Sequence, residues 1–320
     1  MKVYNNDVEA ADALAVAVQN LRKEIGKVIV GQQEVVDLVL AGIFCQGHSL
    51  LVGVPGLAKT LLVQTIASAL DLEFKRIQFT PDLMPSDILG AETLDKERNL
   101  KFVKGPVFAN IVLADEINRT PPKTQAALLE AMQEYKVTIG GQRYDLPKPF
   151  FVLATQNPIE QEGTYPLPEA QLDRFMFNLQ LNYPSFEDEV SIVKNTTNDT
   201  KASIQKVISA DDIIVFQHLV RRVPVADNVV EYAVKLTAKT RPGNNPLANE
   251  YLEWGAGPRA SQFLIVGAKC HALFRGSYSP DIADVQAIAK PVLRHRLVRN
   301  FKAEADAISV DEVIGKLTAD

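Results

Sequence analysis

One short loop of small residues, followed at once by a lysine and a threonine, carries the clearest chemical signal in the sequence. It reads Gly53-Val54-Pro55-Gly56-Leu57-Ala58-Lys59-Thr60-Leu61. An apolar run that predicts a buried strand precedes it, and a segment with helical spacing follows. In this context, backbone N–H groups and a helix N-terminus can hold phosphate, Lys59 can reach the β- and γ-phosphates, and the Thr60 hydroxyl can ligate Mg²⁺. The loop therefore predicts a site for ATP or ADP with Mg²⁺.

One position in this loop departs from the usual pattern. Ala58 stands directly before the lysine, where glycine is common. Alanine is the smallest alternative, so a compact loop is still possible, but it tolerates positive φ poorly. We therefore expect Ala58 to have a negative φ.

An acidic pair and an asparagine follow two other apolar runs. Asp115 and Glu116 come directly after the first run, and Asn157 follows the second. Asp115 is suited to hold Mg²⁺, directly or through water, and Glu116 to orient and deprotonate the attacking water. The Asn157 amide could contact that water or the γ-phosphate. An acidic pair alone is weak evidence, but a phosphate loop upstream supplies the other half of one Mg·ATP site.

The elements that must position these groups read as an alternating α/β fold. Apolar runs occur at 48–53, 109–114 and 150–155, with a weaker one at 175–181, and helical segments lie between several of them. This pattern indicates a parallel sheet covered on both faces by helices. Ligands in such folds bind beyond the carboxyl ends of the strands, which is where the loop, the acidic pair and Asn157 fall.

The composition changes near Pro184, and helical spacing dominates beyond it. We therefore expect an α/β nucleotide-binding domain over residues 1–185 and an all-α lid domain over residues 186–320. Two stretches interrupt the alternation of the first domain. Residues 88–107 could form an inserted hairpin, and residues 136–147 a second hairpin that turns at Gly140-Gly141.

Composition and charge argue against several classes of protein. The 320 residues carry a net charge of −5, which argues against general nucleic-acid binding. The sequence has no apolar run near the ~20 residues of a membrane span and no apolar signal segment near Met1. Its two cysteines, Cys45 and Cys270, are far apart and read as reduced thiols. We expect a cytoplasmic protein.

Together these segments closely resemble the MoxR family of AAA+ ATPases. Beyond the phosphate loop, the matching motifs span most of the chain in the expected order. They are Ala114-Asp115-Glu116-Ile117-Asn118-Arg119, Glu130-Ala131-Met132-Gln133-Glu134, Ala154-Thr155-Gln156-Asn157-Pro158, Leu167-Pro168-Glu169-Ala170-Gln171-Leu172-Asp173-Arg174-Phe175, Gly257-Pro258-Arg259-Ala260 and Pro291-Val292-Leu293-Arg294-His295-Arg296.

The resemblance implies roles for residues that spacing alone does not assign. Arg174 resembles the arginine finger that reaches the γ-phosphate of a neighbouring subunit, and Arg259 resembles sensor 2, which contacts the nucleotide from the lid. Ile29-Val30-Gly31 resembles the segment that lines the adenine pocket. Arg119 is a second candidate for a contact between subunits. The two hairpins resemble the helix-2 insert and the pre-sensor-1 hairpin.

The resemblance also implies an assembly, a homo-oligomeric ring that is a hexamer. It implies that the ring remodels a client protein or matures the metal cofactor of that client. It further implies a partner protein with a von Willebrand factor A domain. Two alternatives stay open, a nucleotide-gated scaffold with slow turnover and a chelatase- or helicase-like subunit. Asp173-Arg174 could also be an ordinary surface ion pair. For Arg294, His295, Arg296 and Arg299 we favour a solvated helix face.

Overall fold

The computed structural model describes residues 4–94, 96, 99–159, 163–197 and 203–319. The chain divides into two compact units. One comprises residues 19–167 and 179–214, and the other residues 1–18, 168–178 and 215–320. The single cut after residue 185 stays a prediction about domain organisation.

The elements of the first half of the chain alternate between helix and strand, as expected. In chain order they are α1 (Asp7–Ile25), α2 (Gln33–Phe44), β1 (Ser49–Gly53), α3 (Lys59–Ala69), β2 (Phe74–Gln78), α4 (Pro85–Leu89), β3 (Gly90–Leu94), β4 (Leu100–Lys104), β5 (Ile111–Asp115), α5 (Pro122–Glu134), β6 (Lys136–Ile139), β7 (Gln142–Asp145), β8 (Phe151–Gln156), α6 (Glu169–Leu172) and β9 (Phe177–Leu181).

A five-stranded sheet in the order β2-β5-β8-β1-β9 organises the first unit. The pairs β2–β5, β5–β8 and β8–β1 are parallel. Residues 111–114 of β5 and 151–155 of β8 are all buried, because these central strands are covered on both faces. The expected parallel sheet sandwiched by helices is confirmed. The pairing register aligns the carboxyl ends of β2, β5 and β8, since Gln78 pairs with Asp115 and Ala114 with Ala154.

Of the five strands in this sheet, β2 is the one that the sequence does not predict. Its five residues, Phe74-Lys75-Arg76-Ile77-Gln78, include one that is buried, Ile77. The strand lies at the edge of the sheet, where polar residues face solvent and no continuous apolar run is needed. This omission matters, because Arg76 and Gln78 both contact the acidic pair.

Both inserted hairpins are present. β3 and β4 pair antiparallel from Gly90–Lys104 to Leu94–Leu100, within the expected stretch. β6 and β7 pair up to Ile139 and Gln142, which leaves a two-residue loop. Gly140 and Gly141 in that loop have φ values of +57° and +79°. Two left-handed central residues suit the twist of a two-residue hairpin, so the Gly-Gly pair fixes this turn.

The second half of the chain is mainly helical. Its elements are α7 (Phe186–Thr196), α8 (Ala210–Arg222), α9 (Asp227–Lys239), α10 (Pro246–Tyr251), β10 (Leu252–Trp254), α11 (Pro258–Phe274), α12 (Ile282–Leu293), β11 (Val298–Arg299), α13 (Phe301–Ala305) and α14 (Val310–Ala319). The expected all-α character is interrupted by one small antiparallel strand pair, β10–β11. Helix α12 ends at Leu293 and is followed by a 3₁₀ turn over Arg294–Arg296.

Candidate nucleotide site

The loop between β1 and α3 has the strand–loop–helix form that phosphate binding requires. Gly53 ends β1 and Lys59 begins α3. The Lys59 ammonium donates to the Gly53 carbonyl at 2.5 Å, across the base of the loop. The first turn of α3 contains no acidic residue, so the positive end of the helix is not neutralised by its own side chains. The loop can therefore present backbone N–H groups, a lysine and the Thr60 hydroxyl to an anion.

The prediction for Ala58 is wrong. Its φ is +54° and its ψ +29°, in the left-handed region, directly before the first helical residue. The loop must reverse direction there to enter α3, and the geometry of the turn takes precedence over the preference of alanine. A left-handed alanine costs roughly 1–2 kcal/mol. Gly56, which also has a positive φ of +86°, has no such cost.

Asp115 is held by two neighbouring strands. Thr155 on β8 donates to Asp115 Oδ1 at 2.6 Å. Arg76 on β2 donates twice to Oδ2, from Nε at 3.0 Å and from Nη2 at 2.6 Å. Both carboxylate oxygens are thus engaged, and the parallel register of the three strands explains why these side chains meet.

Glu116 is held by a different set of contacts. Its backbone N–H donates to the Thr155 hydroxyl at 2.9 Å, so Thr155 links the two acidic residues. Its carboxylate accepts from Gln78 Nε2 at 2.8 Å and from Arg119 Nη1 at 3.1 Å, both at Oε2. Glu116 itself has a left-handed φ of +58°. Among the described residues both donors go to Oε2, so Oε1 is the oxygen suited to accept a proton from water.

Asn157 lies just beyond the end of β8 and is 5% exposed. Its Oδ1 accepts from the Ile159 N–H at 3.2 Å, which leaves its Nδ2 as a donor for another group. Because β8 lies between β1 and β5, Asn157 is at the same edge of the sheet as the phosphate loop and the acidic pair. This arrangement brings together Lys59, Thr60, Asp115, Glu116 and Asn157.

Thr60 and Asp115 are the residues that could hold Mg²⁺. They offer one hydroxyl and one carboxylate, and Mg²⁺ commonly combines one or two protein oxygen ligands with phosphate oxygens and water. The donor set therefore fits this ion. Arg76 shares the Asp115 carboxylate, and its side chain is 47% exposed.

The segment expected near adenine is ordered around a left-handed glycine. Ile29 is buried, Val30 is half-buried, and Gly31 has a φ of +72°. A Cβ placed on Gly31 would lie 2.5 Å from the Asp188 carboxylate of α7. The positive φ and this close approach both favour glycine, so the position is constrained by the backbone and by packing whatever its role toward a base.

Arg174 and Arg259 belong to the second compact unit. Asp173, the residue before Arg174, contacts Arg259 in this unit. Asp173 Oδ2 accepts from Arg259 Nη1 at 2.8 Å. Its Oδ1 accepts from Arg296 Nε at 2.8 Å. Arg174, the next residue along the chain, is half-buried, and its side chain makes no ion pair within the described part of the chain.

The solvated helix face that we favoured for Arg294 to Arg299 is wrong. The side chain of Arg296 is 2% exposed, and Arg294 pairs with Asp311 at 2.6 Å. His295 contacts the Phe175 carbonyl at 3.0 Å, and Arg299 donates to the Ile308 carbonyl at 3.1 Å. Arginine clusters at a helix end are usually exposed, but here the helix ends at Leu293 and the next turn directs these side chains inward.

Burial lowers the pKa of Arg296 to about 10, although the adjacent Asp173 opposes the shift. A guanidinium buried in this way needs partners for its donors. Arg296 donates to carbonyls of Asp173, Phe175, Met176 and Val292, in addition to the Asp173 carboxylate. It also lies over the Phe263 ring, with Cζ 5.0 Å from the ring centroid.

Comparison with known proteins agrees with this geometry. Residues 48–177 match the model of the ATPase family associated with various cellular activities, and residues 245–317 match the AAA lid domain. Chaperone MoxR1 of Mycobacterium tuberculosis is 44% identical over 314 residues, covering 96% of this chain and 83% of that protein. Protein MoxR of Methylorubrum extorquens is 28% identical, covering 88% of this chain and 87% of that protein.

The crystal structure of a candidate ATPase from Cytophaga hutchinsonii is also similar. It superposes with a TM-score of 0.90 at 42% identity, covering 97% of this chain and 96% of that one. Fold, loop and acidic pair define an AAA-type P-loop enzyme, an ATP hydrolase. The chain belongs to the MoxR family of AAA+ ATPases.

Proposed function

We propose that this chain is a Mg²⁺-dependent ATPase that works as a hexameric ring and uses ATP hydrolysis to remodel a client protein. The observation that carries the proposal is the connected acidic pair. Asp115 and Glu116 are joined through Thr155, at the sheet edge where β1 delivers the phosphate loop. Bound Mg²⁺ would neutralise phosphate charge, and Glu116 would take the proton from the attacking water.

The remaining roles in hydrolysis fall to cationic and amide groups. Lys59 binds the β- and γ-phosphates, and the Nδ2 of Asn157 positions the water or the γ-phosphate. Arg259 contacts the nucleotide of its own subunit, and Arg174 that of the neighbour. Charge spreads over the γ-phosphoryl oxygens in the transition state, so fixed cations supply much of the rate enhancement. Arg119 pairs with Glu116 within the chain, so Arg174 is the better candidate for the neighbouring site.

Similarity and composition support proposals for the client, the partner and the compartment. A relative that covers nearly the whole chain is a chaperone, which favours remodelling of a protein client, with maturation of a metal cofactor as one outcome of that remodelling. A partner with a von Willebrand factor A domain would deliver the client. Cys45 and Cys270 are both buried, as is usual for reduced thiols of cytoplasmic proteins. No helix among the described residues is long and apolar enough to span a membrane.

A mixing experiment tests the shared site. ATP hydrolysis is measured against protein concentration for Arg174→Ala, for Glu116→Gln and for their equal mixture. Each variant alone should be nearly inactive, because every site lacks either the finger or the base. The mixture should regain activity at concentrations that allow assembly, since some sites then combine an intact Glu116 with an intact Arg174. A mixture that stays inactive would remove Arg174 from the neighbouring site and make Arg119 the next residue to test.

The same Glu116→Gln variant separates a motor from a scaffold. A motor loses its biological activity when hydrolysis stops, whereas a scaffold that needs only bound ATP keeps it. Maturation of the client in cells that carry only this variant is therefore the readout. We expect the activity to be lost.

A further inference from the structure

Two arginines of the lid, Arg259 and Arg296, share the carboxylate of Asp173, the residue before Arg174. Asp173 accepts from Arg259 through Oδ2 and from Arg296 through Oδ1, both at 2.8 Å. The adjacent residue is Arg174. A single aspartate thus connects the proposed sensor of one site to the segment that carries the proposed finger for the next.

Arg296 fixes that segment from the side of the lid. Its Nη2 donates to the carbonyls of Asp173 at 3.0 Å and Phe175 at 2.7 Å, which lie on either side of Arg174. The guanidinium is nearly fully buried, so these hydrogen bonds form away from water, where losing one is costly. The peptide backbone on either side of Arg174 is therefore held by one side chain.

The contacts of Arg259 are looser. It reaches Asp173 through Nη1 alone, and its side chain is 43% exposed. The remaining donors can serve another acceptor, and a phosphate would compete with Asp173 for the same guanidinium. The contact between Asp173 and Arg296 is buried and fixed, whereas Arg259 can exchange Asp173 for a phosphate. Asp173 therefore has one fixed and one variable partner.

We propose that Asp173 and Arg296 are positioning residues that couple neighbouring ATP sites. Arg296 sets the presentation of Arg174 to the next subunit, and Asp173 makes that presentation depend on whether Arg259 is drawn to its own nucleotide. The inference rests on the proposed function, because it requires Arg174 to act across an interface.

The test uses donor and acceptor subunits. Donors carry Glu116→Gln and supply Arg174 but cannot hydrolyse ATP. Acceptors carry Arg174→Ala and hydrolyse ATP only with a donated finger. Asp173→Asn is placed on either one. This change keeps the size and an acceptor oxygen of the side chain but removes the charge. Glu169→Gln, an exposed position four residues earlier, is the matched control for loss of charge.

On the donor, Asp173→Asn should lower kcat about tenfold and leave the KM for ATP unchanged, because only the finger is misplaced. On the acceptor it should lower the KM about threefold, because Arg259 no longer has a competing carboxylate. Glu169→Gln should change neither. Arg296→Lys on the donor, which keeps the charge but loses the planar fork, should reproduce the loss of kcat.

Three results would overturn the inference. Equal losses of kcat with Asp173→Asn on the donor and with Asp173→Asn on the acceptor would mean that Asp173 only supports the fold. Thermal unfolding of each variant checks this. Unchanged kinetics with both Asp173→Asn and Arg296→Lys would mean that neither residue positions Arg174. Inactivity of the unmodified donor–acceptor mixture would overturn the shared site itself, and this inference with it, so the two failures are distinguishable.

Discussion

Arg76 on the edge strand donates two hydrogen bonds to one oxygen of Asp115, at 3.0 and 2.6 Å. The proposed ligand of Mg²⁺ thus already shares its carboxylate with a cation. A guanidinium there both occupies the oxygen and repels a second positive charge. The strength with which the site holds Mg²⁺ should therefore depend on β2 as well as on the phosphate loop.

Replacing Arg76 tests this competition. Arg76→Gln should lower the Mg²⁺ concentration for half-maximal nucleotide binding by up to about fivefold, the effect of a partly exposed ion pair. Lys75→Gln is the control, because Lys75 is the neighbouring cation on the same strand and pairs with Glu73 instead. A Mg²⁺ titration of nucleotide fluorescence measures the effect. A higher Mg²⁺ requirement in Arg76→Gln would show that Arg76 supports the site.

Thr155 joins the two acidic residues from a fully buried position. Thr155→Val keeps the shape but leaves the Glu116 N–H without its acceptor, so the free energy of unfolding should fall by about 1–3 kcal/mol. ATP hydrolysis should fall as well, because Asp115 and Glu116 lose their common support. Thr155→Ser retains the hydroxyl and should keep most of the hydrolysis. Equal hydrolysis by the valine and serine variants would contradict this role.

The left-handed Ala58 predicts opposite outcomes for two substitutions. Ala58→Gly removes the steric cost of positive φ and should bind nucleotide as the wild type does. Ala58→Val places a β-branched residue in the same conformation, which is a severe outlier, and should weaken binding at least about tenfold. Calorimetric titration with ADP compares the three proteins. Normal binding by the valine variant would mean that the loop does not need this conformation.

His48 should make stability fall at acidic pH. The Val152 N–H donates to Nδ1 and Nε2 faces the Met132 carbonyl, both at 3.0 Å, so the folded ring is neutral. Burial lowers its pKa to about 4, whereas the unfolded chain takes up the proton below the ordinary value of 6.5. The stabilisation is complete above pH 6.5 and is lost as the pH falls toward about 4, by about 3 kcal/mol.

Urea unfolding between pH 7.5 and pH 4.5 measures this loss. Half-buried His295, whose pKa is also lowered, contributes in the same direction. The difference between wild type and His48→Gln therefore isolates His48. The variant should be less stable at pH 7.5 but should show a weaker dependence on pH. An identical slope in both proteins would exclude His48 as a source.

The phosphate loop, the acidic pair and the parallel sheet could be predicted from sequence because each leaves a pattern in short, continuous stretches of residues. A buried strand needs an apolar run, and a loop before a helix needs small residues. Arg76 and Gln78 could not be found in this way, because an edge strand does not need a continuous apolar run. Their proximity to Asp115 and Glu116 depends on strand order, which the sequence does not show directly.

The prediction of a solvated helix face at Arg296 is wrong for a different physical reason. A cluster of arginine and histidine after a helical run is usually solvated, and burial requires several carbonyl acceptors. Those acceptors come from Asp173, Phe175 and Met176, more than 110 residues earlier. The negative φ expected for Ala58 is wrong because the turn into α3, and not the preference of alanine, sets the backbone conformation there.

The most direct measurement of the central claim compares nucleotide binding and hydrolysis in Glu116→Gln. The substitution keeps the size of the side chain but removes the base, so binding of ATP with Mg²⁺ should remain within about threefold of the wild type. Hydrolysis should fall by about 10²–10⁴-fold, the usual contribution of a positioned base. Glu73→Gln, an exposed glutamate just before β2, should leave both unchanged. Hydrolysis by Glu116→Gln at the wild-type rate would contradict the assignment of Asp115-Glu116 as the catalytic pair.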